Sequence, residues 1–304
     1  MLYLTYNNKD HTDGAGSQIQ RIISIYMISR YYNIGYIHSP LEKLDYQGLN
    51  CLENNKTDNK QLNEYNKLIS LNSDNITSVD EVYNIKIITE DIILKLKNTS
   101  KNIVLVVTYG SIVDKNPEVM KIPINFPWIN SKKNDILNVA IHVRRGELFV
   151  VDSNRMLPNS YYIECMNALK KILDKNNISF KFHLHTEVVS KTTKITPKHH
   201  GILDRIEHNI ILKPSDNKLE EFSCFDNIEY HINESPINTF IELTNCDILI
   251  ASRSSFSYVS SMIKKKGVVL FHPFWHSLHP DWISVKNEND IYNNEIKIIN
   301  KLIS

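Results

Sequence analysis

The order of strand-like and helix-like segments constrains the fold of this chain more than any other feature. Short β-branched runs typical of buried strands alternate with segments whose apolar residues repeat at helical spacing. The clearest strand-like runs are 2–6, 102–108, 138–143, 180–185, 247–251 and 268–271. Parallel strands need a crossover between them, usually a helix, so this alternation predicts an α/β protein with parallel sheets and right-handed connections.

The length of 304 residues suits two α/β domains better than one. Residues 117–133 contain several prolines and no periodic pattern, which predicts a linker. We therefore predict an N-terminal Rossmann-like lobe over 1–133 and a C-terminal lobe over 134–304, facing a central cleft. This prediction allows the last helix to pack back on the N-terminal lobe. Residues 45–80 are polar and weakly periodic, and we interpret them as an insertion or a short helical excursion.

Charge and cysteine usage narrow the class of protein. A net charge of +1 gives no overall field to attract nucleic acid or a membrane surface. The four cysteines lie far apart and form no C-x-x-C pair, so they indicate neither a zinc ribbon nor a disulfide scaffold. No apolar run near Met1 is long enough for a signal peptide or a transmembrane helix. We expect a cytoplasmic protein.

Residues 139–147, Val-Ala-Ile-His-Val-Arg-Arg-Gly-Glu, form a strand that ends in charged side chains. The carboxyl ends of parallel strands open onto the ligand crevice of an α/β sheet, so we expect His142, Arg144, Arg145 and Glu147 there. Guanidinium groups bind phosphate oxygens in a bidentate manner and keep their charge. The segment predicts a phosphate-binding strand end; the alternative is a strand followed by a solvated basic turn.

A second segment, residues 247–259, is a buried strand followed by a serine-rich turn and a helix. Ser254 or Ser255 is the predicted N-cap of that helix. The amides and hydroxyls at a helix N-terminus form a ready site for a phosphate, although serine also caps helices that bind nothing. Together with the arginine pair, the turn suggests a diphosphate bound between the two.

The loop at residues 13–18, Asp-Gly-Ala-Gly-Ser-Gln, joins the first strand to a helix predicted from Gln18 to about Tyr32. That helix is apolar nearly all round, so we expect it to pack on more than one side. It lacks both the G-x-G-x-x-G spacing and a Walker lysine, so it is a weak nucleotide motif by itself. Either it is a tight turn that lets helix and strand pack, or it forms one wall of an interlobe cleft.

Metal and covalent chemistry are not indicated. The sequence contains neither D-x-D nor H-E-x-x-H, and the twelve histidines do not fall into metal-ligand spacing. His183 and His185 face the same side of a strand and are interpreted as sheet or nucleotide-contact residues. Residues 271–276, Phe-His-Pro-Phe-Trp-His, either pack around a strand end or flank an acceptor. No G-x-S-x-G elbow is present.

These three segments, in this order, resemble the inverting α1,2-fucosyltransferases and related GDP-fucose-dependent enzymes of GT-B architecture. The family's H-x-R-R-G-D segment is similar to residues 142–147, its acidic-strand-S-x-S-x-F-S segment to 247–257, and its G-x-G-N-Q loop to 14–18. A Pro-x-x-Tyr-Tyr helix start at 158–162 and a strand end at 182–187 follow the family order.

The resemblance implies metal-independent, inverting transfer of fucose from GDP-fucose to a hydroxyl of a glycan acceptor. It implies no cofactor besides the sugar-nucleotide donor and no nucleic-acid partner. The implied catalytic residues are Arg145, Glu147 and Asp13. The implied nucleotide-sugar-binding residues are His142, Arg144, Arg145, Thr186, Glu187, Ser252, Ser254, Ser255, Phe256, Gly14, Gly16, Ser17 and Gln18.

The sequence departs from the family pattern in three places. Glu147 replaces an aspartate, Ser17 an asparagine, and Tyr258-Val259 an aromatic pair. The loss of the asparagine amide, which lies near the sugar in relatives, leaves the identity of the sugar open. The alternatives are a GT-B transferase for another nucleotide sugar, a catalytically inactive nucleotide-sugar or glycan-binding module, and an α/β protein without such a site.

Overall fold

The structure, a computed structural model, describes residues 1–9, 13–44, 48, 59–129, 135–146, 148, 153–195, 210–214 and 218–303. Its strands are β1 (Leu2–Tyr6), β2 (Gly35–Ile37), β3 (Glu81–Ile87), β4 (Ile103–Tyr109), β5 (Leu137–Val143), β6 (Phe180–Thr186), β7 (Thr193–Ile195), β8 (Ile210–Leu212), β9 (Ile228–Ile232), β10 (Ile248–Ile250), β11 (Val268–Phe271) and β12 (Ile283–Ser284). Its α-helices are α1 (Ala15–Tyr31), α2 (Asn59–Leu68), α3 (Glu90–Lys97), α4 (Ile112–Lys115), α5 (Asn159–Lys175), α6 (Pro236–Asn245), α7 (Ser255–Ile263), α8 (Glu288–Tyr292) and α9 (Glu295–Ile303).

Two parallel sheets organise these elements. The first sheet has the strand order β2-β1-β4-β3, and the second has the order β12-β11-β10-β5-β6-β9. Neighbouring strands in both sheets pair in parallel, whereas β7 and β8 form a separate antiparallel pair. The predicted α/β class with two Rossmann-like lobes is confirmed. The predicted boundary at 133/134 falls between the last strand of the first sheet and the first strand of the second.

Helix α1 begins three residues earlier than the apolar pattern predicts and is buried on more than one side. Ile19, Ile22, Ile23 and Ile25 are fully buried, and α1 contacts strands of the first sheet as well as α7 of the second lobe. This confirms the inference from its all-round apolar sequence. The first core therefore includes residues from both lobes, among them Phe240 of α6.

The segment that the prolines predicted as a linker is packed rather than exposed. It contains the 3₁₀-helix Pro117–Lys121, and Val119, Met120, Ile124 and Phe126 are buried in the first core. The proline signal located the connection between the sheets correctly, but apolar residues interspersed with the prolines hold it against the first lobe. This part of the prediction is corrected.

The last helix, α9, packs on the second sheet. Ile298 is buried in the second core, together with Val268 and Leu270 of β11, and Lys297 donates a hydrogen bond to the carbonyl oxygen of Trp282. The expectation that this helix packs back on the N-terminal lobe is corrected accordingly. The amphipathic pattern of α9 predicted that it would pack but could not identify the surface.

Candidate functional site

The N-termini of α1 and α7 meet where the two lobes touch, and we call this contact the helix junction. Gly16 lies in the first turn of α1 and Phe256 in the first turn of α7. A Cβ atom at Gly16 would lie 2.6 Å from both N and Cα of Phe256. Only a residue without a side chain fits at that separation. The glycine loop thus packs closely against the serine turn of the other lobe, and its role as a wall of a ligand cleft stays a prediction.

Ser252 and His142 form a buried pair beneath the helix junction. Ser252 Oγ lies 2.8 Å from His142 Nδ1 and 3.3 Å from Ser257 Oγ, and the His142 ring centroid is 5.7 Å from that of Phe256. Burial, followed by the charge of Arg144 and then His185, holds the pKa of His142 well below its ordinary value. His142 is therefore neutral at pH 7 and supports the serine turn rather than supplying charge to an anion.

The serine turn caps α7 and reaches a histidine of a distant loop. Ser254 is the N-cap, and its Oγ accepts a hydrogen bond from the Phe256 amide, which decides between the two predicted caps. Ser255 Oγ lies 2.9 Å from His276 Nε2, and the His276 ring stacks on Tyr258 at 4.2 Å between centroids. Burial, followed by the nearby cations, lowers the pKa of His276 to about 4.

Two arginines outside the predicted set contribute positive charge near His276. The charges of Arg155 and Arg21 both lower the pKa of this histidine, after burial. Arg21 forms an ion pair with Asp13, and its guanidinium lies 4.5 Å from the centroid of the Tyr109 ring. Its Nη1 is buried and has no hydrogen-bond partner among the described residues. A buried donor of this kind is costly unless something accepts from it.

The glycine loop is held in place by a buried glutamine. Gln18 Nε2 donates to the carbonyl oxygens of Asp13 and Lys43, and Gln18 is 1% exposed. Gly14 is the N-cap residue of α1, and Ser17 lies in the first turn. Gln18 therefore fixes the conformation of the loop, while Gly14, Gly16 and Ser17 place backbone amides at the helix junction.

Arg144, the first of the two arginines after β5, is neutralised within the protein. Its Nη1 donates to Glu187 Oε2 at 2.8 Å, and both side chains are largely buried. Glu187 directly follows β6, whose last residue, Thr186, donates from Oγ1 to the carbonyl oxygen of Val143. The predicted set Arg144, Thr186 and Glu187 is thus assembled by the parallel pairing of β5 with β6.

Arg145 lies on the side of the sheet that faces α5. Its guanidinium donates to Asn159 Oδ1 and to the carbonyl oxygen of Arg144, and its Cζ lies 5.9 Å from the centroid of the Tyr162 ring. Arg145 is 5% exposed, and burial lowers its pKa. The described contacts of Arg145 are thus with α5 and the neighbouring backbone. Glu147, the other residue predicted to be catalytic in this segment, lies outside the described residues.

The predicted residues therefore form two groups. The helix junction unites Gly14, Gly16, Ser17, Gln18, His142, Ser252, Ser254, Ser255 and Phe256, with Asp13 beside it. The strand ends hold Arg144, Thr186 and Glu187, and Arg145 has separate partners. Sequence reasoning missed Arg21 and Arg155, which belong to no motif. It weighed His276 only as a packing or acceptor residue.

A histidine and glutamate cluster lies at the other end of the second sheet. His185 and His231 are opposite one another on β6 and β9, and with Glu234 and Glu242 they bring four ligand-type atoms within 4.8 Å of one another. The spacing rules could not reveal this group because its members come from three elements. No helix in the described ranges is long and apolar enough to cross a membrane.

Comparison with known proteins finds distant structural similarity. No protein-family model matches the sequence, and no curated protein matches it. Among solved structures, the chain is similar to a candidate UDP-N-acetylglucosamine 2-epimerase from Listeria monocytogenes. The TM-score is 0.32 at 8% sequence identity, over 94% of this chain and 70% of that one. A likeness at this level assigns neither a family nor an activity to the chain.

Proposed function

We propose that this protein is a glycosyltransferase of GT-B type that transfers a sugar from a nucleotide diphosphate donor, with GDP-fucose as the leading donor. Two lines of support are independent of each other. One is the resemblance of residues 14–18, 142–147 and 247–257 to the α1,2-fucosyltransferases. The other is the helix junction, where the glycine loop and the serine turn meet.

The meeting of two helix N-termini is the observation that carries the proposal. Each N-terminus has about half a positive charge from the helix dipole, and its first amides lack partners within the helix. At the junction Gly16 and Phe256 bring two such ends into contact. Like partial charges at this separation repel unless an anion lies near both. A diphosphate supplies that charge and the acceptors for the amides.

The side chains around the junction suit the same ligand. The Ser255 hydroxyl, the buried Nη1 of Arg21 and the cation of Arg155 gather around His276. Hydroxyl and guanidinium groups are both common partners of phosphate oxygens. A sugar diphosphate bound here would have its phosphates on the helix ends and its sugar directed towards the first lobe.

The proposed reaction is a single displacement. The acceptor hydroxyl oxygen attacks the anomeric carbon from the face opposite the nucleotide, and the carbon–oxygen bond to the β-phosphate breaks with its electron pair leaving on GDP. Groups that bind the β-phosphate more strongly as its charge grows lower the barrier. The acceptor proton passes to a carboxylate or to water, with Glu147 and Asp13 as the proposed acceptors. No metal is required in this scheme.

The roles of Arg145 and Asp13 are the least direct part of the proposal. We retain Arg145 as the donor to the β-phosphate because of its place in the family-like segment, although its described partners are Asn159 and the Arg144 backbone. Asp13 is ion-paired with Arg21, so as a base it would act while held by a guanidinium.

One observation favours a second function, binding of the nucleotide sugar without transfer. Arg145 is 5% exposed and its hydrogen bonds are made within the protein. If this arrangement persists with the donor bound, the leaving phosphate lacks its expected cation. The helix junction would then hold a diphosphate that is not turned over.

The experiment that tests the proposal has a binding stage and a turnover stage. Thermal unfolding is followed with GDP, UDP, CDP and ADP, and then with the corresponding sugar nucleotides. A ligand at 100 times its Kd stabilises the folded state by about 2.7 kcal/mol, so we expect GDP and GDP-fucose to raise the Tm above all others. GDP release from GDP-fucose is then measured with a mixture of glycan acceptors.

The outcomes separate the alternatives. Stabilisation by GDP-fucose with acceptor-dependent GDP release supports the transferase. Stabilisation without release identifies the binding module, and a preference for another sugar nucleotide reassigns the donor. A Tm that no nucleotide changes contradicts the proposal as a whole.

A further inference from the structure

The histidine and glutamate cluster forms at the β9 edge of the second sheet. His185 is on β6, His231 is opposite it on β9, and Glu234 follows β9. Glu242 is on α6, which packs beside these strands. The members are supplied by β6, β9 and α6, so the fold rather than any local motif assembles the cluster.

The spacing of the ligand-type atoms matches a four-coordinate ion. His185 Nε2 lies 3.4 Å from Glu242 Oε2, and His231 Nδ1 lies 3.0 Å from Glu234 Oε1 and 3.8 Å from Glu242 Oε2. Ligands about 2.05 Å from a tetrahedral zinc ion are separated from one another by roughly 3.3 Å. The observed separations lie on both sides of this value.

His185 gives an independent sign that a partner is missing. Its side chain is 1% exposed, and both Nδ1 and Nε2 are buried without a hydrogen-bond partner among the described residues. A buried imidazole normally satisfies its nitrogens. A neutral ring that carries its hydrogen on Nδ1 presents the Nε2 lone pair towards Glu242 Oε2, 3.4 Å away.

A chain of hydrogen bonds through His183 orients the ring of His231 within the cluster. Asn138 Oδ1 can only accept a hydrogen bond. Because it lies 3.2 Å from His183 Nε2, that nitrogen carries the ring hydrogen. His183 Nδ1 then accepts from His231 Nε2 at 3.1 Å. When His231 Nε2 is the donor and the ring is neutral, its Nδ1 presents a lone pair to Glu234 Oε1 at 3.0 Å. A cation between these two acceptors would remove their repulsion, and a metal-bound histidine commonly donates its other ring N–H in this way.

We propose that His185, His231, Glu234 and Glu242 bind a divalent first-row transition metal ion, with Zn²⁺ as the probe. Imidazole nitrogen selects such ions over Mg²⁺ and Ca²⁺, which prefer oxygen. The carboxylates of Glu234 and Glu242 are 38% and 44% exposed, which leaves a path for the ion from solvent. The proposal does not depend on the transferase activity, although His185 is the register partner of His142, which lies beneath the helix junction.

A neighbouring set, His183, Glu229 and His231, also brings its ligand atoms together. It suits a metal less well, because Glu229 is bound to Lys181 Nζ at 2.6 Å and His183 is already hydrogen-bonded at both ring nitrogens. Glu229 therefore serves as a matched control within the same cluster.

The test is titration calorimetry on the full-length chain without a histidine tag, treated with chelator and then dialysed. We expect Zn²⁺ to bind at about one equivalent and MgCl₂ or CaCl₂ at the same concentration to give no saturable heat. Thermal unfolding with and without Zn²⁺ is the second readout. An ion held by β6, β9 and α6 binds the folded state only and raises the Tm.

The variants Glu242→Gln and Glu234→Gln remove one ligand charge each from partly exposed side chains, so the fold should persist, as circular dichroism will verify. Each is expected to weaken Zn²⁺ binding by about 100-fold or more, because a direct ligand is lost and a residue that only orients a ligand is already worth roughly 10- to 100-fold. Glu229→Gln is expected to stay within about threefold of wild type, as befits a residue outside the ligand set.

Three results would overturn the proposal. The first is no saturable Zn²⁺ binding, which would mean that a proton on His231 bridges to Glu234. The second is binding that Glu242→Gln and Glu234→Gln leave unchanged. The third is binding that Glu229→Gln abolishes while Glu242→Gln does not, which would place the ion on the His183 side.

Discussion

The arginine pair and the helix junction show how differently sequence neighbours and spatial neighbours relate to a site. Arg144 and Arg145 are adjacent in sequence, yet one pairs with Glu187 and the other with Asn159. Gly16 and Phe256 are 240 positions apart, yet their backbones leave no room for a Cβ. Consecutive residues after a strand point to different sides, whereas helix ends are brought together by packing.

The two regions also differ in whether their charged and polar groups are already paired within the protein. The charge of Arg144 is balanced by a carboxylate, and Arg145 is surrounded by α5. At the junction, the first turns of two helices meet, and Arg21, further along α1, has a buried Nη1 without a hydrogen-bond partner among the described residues. The arginine motif is therefore the stronger signal in sequence, whereas the helix ends and the unpaired donor favour the junction as the proposed anion site.

The largest expected effect tests the arginine side of the comparison. Arg145→Ala should lower kcat for GDP release about a hundredfold, roughly 3 kcal/mol, if Arg145 stabilises the leaving phosphate. Turnover is measured with GDP-fucose, and folding is checked by circular dichroism because the residue is buried. Arg145→Lys keeps the charge and should recover part of the rate, while Arg30→Ala, in a surface ion pair, should change nothing. A rate for Arg145→Ala within threefold of wild type would exclude this role.

The next effect breaks the junction itself. In Gly16→Ala the new Cβ would lie 2.6 Å from the Phe256 backbone, so the two helices must separate, at a cost of about 1–3 kcal/mol in unfolding free energy. Stabilisation by GDP should be lost as well. Gly110→Ala is the milder control, because there the Cβ meets the movable end of the Ile28 side chain at 2.9 Å and Ser24 Cβ at 3.1 Å, a contact that a shift of a few tenths of an ångström relieves. Equal Tm and GDP response in both variants would contradict a tight junction.

The third effect is a pH dependence that arises at His276. Its folded-state pKa of about 4 lies below the ordinary value of 6.5, so the unfolded chain binds the proton more readily. The stability from the neutral ring is complete above pH 6.5 and is lost as the pH falls towards 4. Between pH 7 and pH 5 we expect a loss of about 1–2 kcal/mol at this residue.

Urea unfolding of wild type and His276→Gln at both pH values measures this loss. The variant should lose less stability than wild type on going to pH 5, because glutamine does not titrate. If both proteins lose the same amount, burial and the neighbouring cations do not lower the pKa of His276 as the structure indicates.

The smallest effect concerns the ion pair at the strand ends. Glu187→Gln leaves the largely buried Arg144 without its counter-charge, and we expect a loss of about 1 kcal/mol in unfolding free energy. Glu81→Gln is the control, since its pair with Lys101 is on the surface, and it should cause no measurable change. The urea midpoints of Glu187→Gln and Glu81→Gln are each compared with that of wild type. Indistinguishable midpoints would show that solvent already screens the Arg144 pair.

Much of the fold was predictable because apolar periodicity is a local property. β1 was predicted at its observed bounds, β4, β5 and β6 were each displaced by a residue or less, and Ser254 is one of the two predicted caps. The predicted linker at 117–133 falls within the connection between the sheets, which lies between Tyr109 and Leu137. Its burial was not predictable, because the prolines that interrupt periodicity say nothing about where Val119 and Phe126 pack.

The candidate site was predictable in part for a related reason. Motifs located the glycine loop, the arginine pair and the serine turn, and strand order explains why Thr186 and Glu187 join Arg144. Arg21 and Arg155 reach the junction only through tertiary packing, so no spacing rule could select them among 35 Lys and Arg residues. The cluster around His185 and His231 is hidden for the same reason.

The most direct test of the helix junction as a diphosphate site is a crystal structure of the protein with GDP. The account predicts phosphate oxygens about 3 Å from first-turn amides of α1 or α7, with Ser255 and Arg21 as further donors. A diphosphate bound elsewhere, with the ends of α1 and α7 in contact only with each other, would contradict it.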